Sequence, residues 1–355
     1  MLDTVIEIIV LGGVNAYGES IIVHDGKNNW FIIDSFVSDK VPAPLHYLQS
    51  RGVNLQHVKR VVATHWHNDH IRGLDEVVKQ CTEAEFFCSQ ACNSKEFEAV
   101  LKATNASRAI DTTSVMSSIL TTLKGRDKHY AGALAGVLLF SDANPFLSQL
   151  IALSPSQKTC DNSRAEYSKK EQNALFGNYA VASPTPNDKS VVLFFEINGQ
   201  KIVLGADLEV SNGVDAAFKG WAAVCSHALC PTGISVFKAA HHGSRNGRSH
   251  DFWTRNLSPT AKIGLTCFNR GQDPPPSAAD IQEILAYGLK AYITARPGRE
   301  VFQYDEETQG LLDIFDISIT NDTPSAYGTI HFSLVDGENQ WKVGLHGTAY
   351  ELAPA

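Results

Sequence analysis

The 355-residue sequence has no apolar run approaching the roughly 18 residues that a membrane crossing needs, so no membrane segment is expected. Its start, Met1-Leu2-Asp3-Thr4, lacks a basic stretch ahead of an apolar one. A secretory signal is therefore not expected, and a cytoplasmic location is. Paired Cys-x-x-Cys spacing is also missing. The seven cysteines, Cys81, Cys88, Cys92, Cys160, Cys225, Cys230 and Cys267, are an odd number and read as reduced, mostly buried thiols. Cys88 and Cys92 stand one helical turn apart, but no second pair completes a metal site. A basic excess is absent as well: the formal net charge is −8, which argues against coating nucleic acid by bulk attraction. It leaves room for an enzyme with a locally positive cleft, because divalent ions bring their own charge. Hydrophobic residues at 43% and charged residues at 19% give a globular balance, with length for one large domain or two medium ones. No internal sequence repeat stands out.

Against that background, Thr64-His65-Trp66-His67-Asn68-Asp69-His70 places three histidines and an aspartate in six positions. Val58 to Ala63 reads as a strand before it. Asp69 to Gln80 reads as a helix after it, with Ile71, Leu74, Val77 and Val78 at helical spacing. The histidines thus sit on a strand-to-helix turn, where side chains converge. Two later strand ends carry related chemistry. Lys201 to Leu204 leads into Gly205-Ala206-Asp207, and Ile234 to Ala240 leads into His241-His242-Gly243-Ser244. A two-metal hydrolase needs a carboxylate between its ions, and Asp207 is the candidate. Of His241 and His242, one suits a metal and the other a proton or hydrogen bond for the reacting group. Arg245, Arg248 and Lys238 cluster near these histidines, and Arg270 stands beside Asp273. Arginine grips phosphate with two hydrogen bonds, so this concentration favours an anionic substrate.

The His-x-His-x-Asp-His pattern is similar to the metal-binding motif of the metallo-β-lactamase superfamily. That resemblance implies an α+β four-layer αββα sandwich holding two divalent metal ions, zinc or manganese. It implies His65 and His67 as ligands of one ion, Asp69 and His70 of the other, Asp207 between them and His241 as a further ligand. Asp69, His241 and His242 then form the catalytic group. Asp34, which ends the strand Trp30 to Ile33, matches the aspartate that buttresses the histidine turn in such folds, since a metal-bound imidazole needs its other nitrogen anchored. Asn187-Asp188-x-Ser190-Val191-Val192-Leu193, Gly205-Ala206-Asp207 and Lys238-Ala239-Ala240-His241-His242-Gly243-Ser244 together resemble the hydrolase domain of the ComEC competence (DNA-uptake) family. The likeness covers most of residues 1–295 and returns at Tyr327-Gly328-Thr329-Ile330, without that family's membrane segments. The chain departs from the pattern in three ways. Asn187 stands where the superfamily has a further histidine, and either binds weakly or positions water. Asp273, before Pro274, stands where the subgroup has a histidine; as an oxygen ligand it would tilt preference toward manganese or magnesium. Both His65 and His67 are kept, where many subgroup members have a weaker turn. Asn187, Ser244 and Arg245 are expected to support the site or touch substrate.

The rest of the chain reads as one domain over residues 1–355. Strands are expected at Thr4–Val10, Ser20–His24, Glu85–Ser89, Ser190–Ile197, Lys262–Cys267 and Ala291–Thr294, and helices at Ala43–Arg51 and Ala278–Ala286. Residues 94–183 read as an insertion over the site mouth, with helices expected at Lys95–Leu101, Ser114–Leu123 and Ala131–Leu139. Residues 296–355 read as a β-rich extension, with a strand at Phe315–Ile319 and a hairpin around Asp336-Gly337. The expected activity is metal-dependent hydrolysis of an anionic phosphodiester, nucleic acid or nucleotide, by water activated between two metals. Hydrolysis of a carbonyl substrate (peptidase, lactonase or amidase) and a hydrolase-like binding subunit are the alternatives.

Overall fold

The computed structural model of the chain describes residues 5–13, 17–93, 97, 111–128, 130–175, 187–270, 274–297 and 327–353. The expectations at Lys95–Leu101 (Phe97 apart), at Phe315–Ile319 and for Asp273 lie outside these residues. Strands β1 (Val5–Gly12), β2 (Glu19–Asp25) and β3 (Trp30–Ile33) come first, followed by a short ribbon of β4 (Val37–Ser38) and β5 (Val41–Pro42), and then β6 (Val58–Ala63), β7 (Glu85–Ser89) and β8 (Ala131–Ala133). Next are β9 (Leu138–Asp142), β10 (Ser148–Ala152), β11 (Leu193–Ile197), β12 (Gln200–Leu204), β13 (Ile234–Lys238), β14 (Leu257–Leu265) and β15 (Lys290–Ile293), and last β16 (Gly328–Val335), β17 (Lys342–His346) and β18 (Tyr350–Glu351). They form two eight-stranded sheets, ordered β17-β16-β1-β2-β3-β6-β7-β8 and β18-β15-β14-β13-β12-β11-β10-β9.

The two sheets repeat one plan. In the first, β1, β2 and β3 are antiparallel, and β6, β7 and β8 continue parallel to β3. In the second, β10, β11 and β12 are antiparallel, and β13, β14 and β15 continue parallel to β12. Equivalent strand ends therefore carry equivalent loops. Asp34 follows β3 as Asp207 follows β12, and the histidine turn follows β6 as His241-His242 follows β13. The repetition lies in backbone pairing, which tolerates complete sequence divergence, and so leaves no visible sequence repeat.

Side chains alternate across each strand, and this creates three apolar layers. Between the sheets lie Val10, Val23, Phe31, Val62, Phe195, Ile202 and Phe332. On the outer face of the first sheet, Leu11, Ile32 and Val61 meet Leu48 of α1 (Ala43–Ser50), Ile71 of α2 (Asn68–Ile71), Leu74 and Val77 of α3 (Leu74–Gln80) and Ile119 of α4 (Asp111–Gly125). Tyr167 of α5 (Gln157–Leu175) joins the same layer. On the outer face of the second sheet, Val203, Phe237 and Ile263 meet Trp221 of α6 (Gly220–Ser226), Phe252 of α7 (His250–Arg255) and Ile284 of α8 (Ala278–Leu285). The result is the four-layer αββα sandwich. Phe237 is fully buried and packs on Trp221, Phe252 and Trp253 at ring-centroid distances of 6.1, 5.2 and 5.5 Å. Phe237→Ala is expected to cost about 3–5 kcal/mol of stability, read by urea denaturation; a loss under about 1 kcal/mol would contradict this packing.

Two local expectations need correction. The helix expected over Asp69–Gln80 is two helices, broken where Gly73 adopts φ +77°. The helix expected over Ala131–Leu139 is absent: Ala131–Ala133 and Leu138–Asp142 are edge strands, one in each sheet. Its two glycines serve other ends. A Cβ on Gly132 would fall 1.6 Å from Gln90 Oε1, and Gly136 turns the chain at φ +87°. Residues 131–152 thus contribute to both sheets, although they fall within the stretch read as an insertion. Among the described residues, no helix is long and apolar enough to cross a membrane.

Candidate metal centre

Asp34, the histidine turn, Asp207 and His241-His242 follow the carboxyl ends of β3, β6, β12 and β13, where side chains from both sheets meet. Asp34 stands at φ +58°, a left-handed conformation that Asp tolerates better than most residues. Its backbone N–H donates to Val62 O at 2.9 Å. Its carboxylate is buried and accepts three hydrogen bonds: Thr64 N–H to Oδ1 at 2.7 Å, Thr64 Oγ1–H to Oδ2 at 2.6 Å and His70 Nδ1–H to Oδ2 at 2.8 Å.

Hydrogen-bond logic assigns the imidazole tautomers. His70 gives its Nδ1 proton to Asp34, so its Nε2 is the end that faces the cluster and, in the neutral ring, presents a lone pair. The Thr64 hydroxyl spends its proton on Asp34, so the 3.0 Å contact with His65 Nδ1 has the ring donating, and His65 Nε2 is a lone pair too. The second sheet repeats the device. Thr266 Oγ1 donates to Glu19 Oε2 at 2.6 Å and accepts from His242 Nδ1 at 2.9 Å, so His242 Nε2 is the free end. Glu19 is itself held by a buried ion pair with Lys238. Because Glu19 belongs to β2 and Lys238 to β13, this pair joins the two sheets directly beneath the site.

The free ends converge. His70 Nε2 lies 3.5 Å from Asp69 Oδ2 and 3.4 Å from Asp207 Oδ1. His242 Nε2 lies 3.3 Å from Asp69 Oδ2 and 3.6 Å from Asp207 Oδ2. On the other side of Asp207, His65 Nε2 lies 3.5 Å from Oδ2 and 3.1 Å from His67 Nδ1. Donors on a tetrahedral ion at about 2.1 Å stand about 3.4 Å from one another, so these separations fit divalent ions. Satisfaction points the same way: the buried Asp69 Oδ2, His70 Nε2, Asp207 Oδ1 and His242 Nε2 have no hydrogen-bond partner, a costly state for four converging polar atoms unless a cation serves them.

Burial pulls the His70 imidazole down, but Asp207, Asp69 and Glu19 outweigh it and hold the ring well above its ordinary value, so metal binding at Nε2 competes with a proton there. Burial pushes the Asp207 carboxyl up, but His70, His242 and His65 outweigh it and hold the group well below the ordinary carboxylate range. Asp69 is likewise held low by His70 and His242 against its burial. Burial, helped by the neighbouring His65, pulls the His67 imidazole down to about 4. Ionised carboxylates and a neutral His67 are the forms that bind metal.

His241 lies apart from this cluster. Consecutive left-handed residues, at φ +48° and +55°, send His242 inward and leave His241 at the mouth. His241 Nδ1 contacts Asn246 Oδ1 at 2.9 Å and Glu209 Oε1 at 3.3 Å, and its Nε2 accepts from Asn187 Nδ2 at 3.3 Å. Asn187 also donates to Glu209 at 2.7 Å. Of the candidate ligands from the sequence, the structure thus gathers His65, His67, Asp69, His70 and Asp207, with His242 rather than His241 beside them. Ser244 donates to Asn246, and Arg245 is exposed on the next turn.

Two of the cations counted toward an anionic substrate are engaged elsewhere. Lys238 is buried on Glu19, and Arg248 is bound to Asp280, Glu283 and Gly243 O. Arg270 stacks on Tyr17 at 3.6 Å. Sequence reasoning gave no role to Thr64 and Asn246, which lie beside the histidines in the chain, and missed Glu19, Thr266 and Glu209, single polar residues with no spacing motif that only packing brings to the site.

A search among curated proteins found no match. The fold is similar to that of the metallo-β-lactamase fold protein YhfI from Bacillus subtilis, at 11% identity and a TM-score of 0.37, covering 74% of this chain and 86% of that one. It is also similar to the short form of human tRNase Z, at 11% identity and a TM-score of 0.33, covering 66% and 77%. A third similar structure is MEM-A1, a subclass B3 metallo-β-lactamase from a soil metagenome library, at 14% identity and a TM-score of 0.35, covering 67% and 77%. Residues 15–89, which carry Glu19, Asp34 and the whole histidine turn, match the family model of the metallo-β-lactamase superfamily.

Proposed function

We propose that the protein is a metal-dependent hydrolase that cleaves phosphodiesters with two divalent ions sharing Asp207. One observation carries the two-ion reading: the Asp207 carboxylate stands between two groups of donors, with His70 3.4 Å from Oδ1 and His242 3.6 Å from Oδ2 on one side and His65 3.5 Å from Oδ2 on the other. His65, His67 and Asp207 would hold one ion, and Asp69, His70, His242 and Asp207 the other. Zinc or manganese fits this mixture of imidazole and carboxylate. When bound, such a pair supplies Lewis acidity and lowers the pKa of water toward neutrality.

The chain's own residues do the rest. Asp34 and the Thr266–Glu19 pair hold the Nδ1 ends of His70 and His242 and so aim their Nε2 atoms into the cluster. Burial of the floor excludes bulk water, which strengthens every charge interaction there. His241 stands at the mouth, held at both ring nitrogens by Asn246, Glu209 and Asn187, and would take or return a proton there by exchanging its bond to Asn187 for one to substrate. Exposed Arg245 beside it suits a phosphate oxygen. The resemblance to the ComEC hydrolase domain supports the same substrate class. Carbonyl hydrolysis is the second reading, favoured by one finding: Lys238 and Arg248 are consumed by internal carboxylates and cannot both grip an anion.

Cleavage assays with zinc and with manganese separate the two. Bis-p-nitrophenyl phosphate and single-stranded DNA are expected to be cleaved faster than p-nitrophenyl esters or peptides. Phosphodiesters untouched with both metals, alongside ester or peptide cleavage, would overturn the first reading in favour of the second.

A further inference from the structure

We infer that the two ion positions are unequal, and that the weaker one, at His65, His67 and Asp207, is completed by the anionic substrate itself. This rests on the proposed two-ion hydrolysis and adds an order of assembly to it.

The stronger position has four protein donors, Asp69, His70, Asp207 and His242, each no more than 3% exposed. Asp69 and Asp207 supply charge, and both imidazoles are aimed by a carboxylate, directly through Asp34 or through Thr266 and Glu19. At the weaker position, the donors grouped among the described residues are His65, His67 and Asp207 alone. Among the described residues its one grouped carboxylate is Asp207, shared with the other position, and His67 is partly exposed.

Among the described residues, the sequence candidate for a fourth donor is Asn187, and its amide nitrogen is already committed. Asn187 Nδ2 donates to Glu209 Oε1 at 2.7 Å and to His241 Nε2 at 3.3 Å. The orientation is fixed by chemistry, because an amide oxygen in that place would face a carboxylate oxygen. Asn187 can therefore offer only its neutral Oδ1, which has no partner and carries no charge to offset a second dication. Two divalent ions bring four positive charges against the two carboxylates of Asp69 and Asp207. An anionic substrate oxygen supplies both things the weaker position lacks, a donor and a negative charge; magnesium-type and manganese-type sites are commonly completed by substrate phosphate in this way. By linkage, the substrate anion tightens the weaker ion and that ion tightens the anion by the same factor.

The test is a titration of the metal-free full-length protein with Mn²⁺, followed by calorimetry and by electron paramagnetic resonance, with and without inorganic phosphate as the probe anion. Two classes of site are expected, separated by about 100-fold. Phosphate is expected to tighten the weaker by about tenfold or more and to leave the stronger unchanged. A spin-coupled ion pair should then form at lower Mn²⁺ concentration. Asn187→His is expected to bring the two affinities within about tenfold and to remove most of the phosphate effect. Two equal sites in the wild-type protein, or two sites indifferent to phosphate, would overturn the inference while leaving a metal-dependent hydrolase intact. Absence of any bound ion with both Mn²⁺ and Zn²⁺ would overturn the functional reading itself. The wild-type titration decides the matter even if the Asn187→His protein fails to fold.

Discussion

Replacing Asp207 by asparagine is expected to lower metal-dependent turnover by at least about 10³-fold while leaving the fold in place. The side chain is 2% exposed, and asparagine has the same shape, so packing against the Gly205–Ala206 turn is preserved. What changes is one oxygen and the charge. In the wild type, Oδ1 faces His70 Nε2, while Oδ2 faces both His65 Nε2 and His242 Nε2. In Asp207→Asn, one of those directions holds an N–H donor, which repels a cation and ligates nothing. The pair of positions then loses the carboxylate that the described residues place between them, and two dications facing each other lose their screening. Metal content measured on the purified protein should fall in step with turnover, and circular dichroism should show the wild-type fold. Turnover within about tenfold of wild type would remove the basis for the two-ion reading.

The second large effect is at Asp34, which touches no candidate ion. Asp34→Ala leaves Thr64 N–H, the Thr64 hydroxyl and His70 Nδ1–H without their acceptor inside a buried site. The expected loss of stability is about 3–5 kcal/mol. A left-handed φ of +58° adds about 1–2 kcal/mol for alanine. Asp34→Asn is the sharper experiment. Asparagine tolerates the backbone and can still accept from Thr64 N–H, but its amide nitrogen must then face the Thr64 hydroxyl and His70. To accept that N–H, His70 Nδ1 must give up its proton, which moves to Nε2, the atom needed as a ligand. The outcome is a folded protein, weaker by about 1–3 kcal/mol in urea, whose metal affinity falls by about 10–100-fold in a chelator competition. Wild-type metal affinity in the Asp34→Asn variant would mean that His70 is not aimed by this carboxylate.

Both predictions depend on the division of labour visible along the chain. Strands β1, β2, β3 and β6 were legible as runs of apolar residues between Gly, Asp and Asn turns, because burying one face of a strand imposes a pattern on its own sequence. Between β11 and β12, Asn198-Gly199 adopts φ of +48° and +76°, the left-handed angles of a tight hairpin that an Asn-Gly pair favours. Residues 131–139 misled because β8 and β9 are short edge strands whose glycines answer to Gln90 and to a turn rather than to local propensity. The helix over Gln157–Leu175 stayed unread for a related reason: it is mostly polar, and only residues such as Tyr167 reach the core.

At the site, the chain by itself determined the dense part: His65, His67, Asp69 and His70 are close in space because they are close in sequence, and Asp207 and His241-His242 declare themselves at strand ends. Only the tertiary structure decided which of the paired histidines joins the carboxylates, because two consecutive left-handed residues turn His242 inward and His241 outward, a choice of backbone angle that residue type does not encode. It also decided the fate of the positive charges. Lys238 and Arg248 look like anion grips in the sequence, and in the fold they are held by Glu19, Asp280 and Glu283, residues 219, 32 and 35 positions away that sequence spacing cannot link to them. The carboxylates that aim the imidazoles follow the same rule. Ligands within one turn are set by local geometry, whereas Asp34 and Glu19 reach the site only because two sheets of the same plan close on each other and bring their strand ends together.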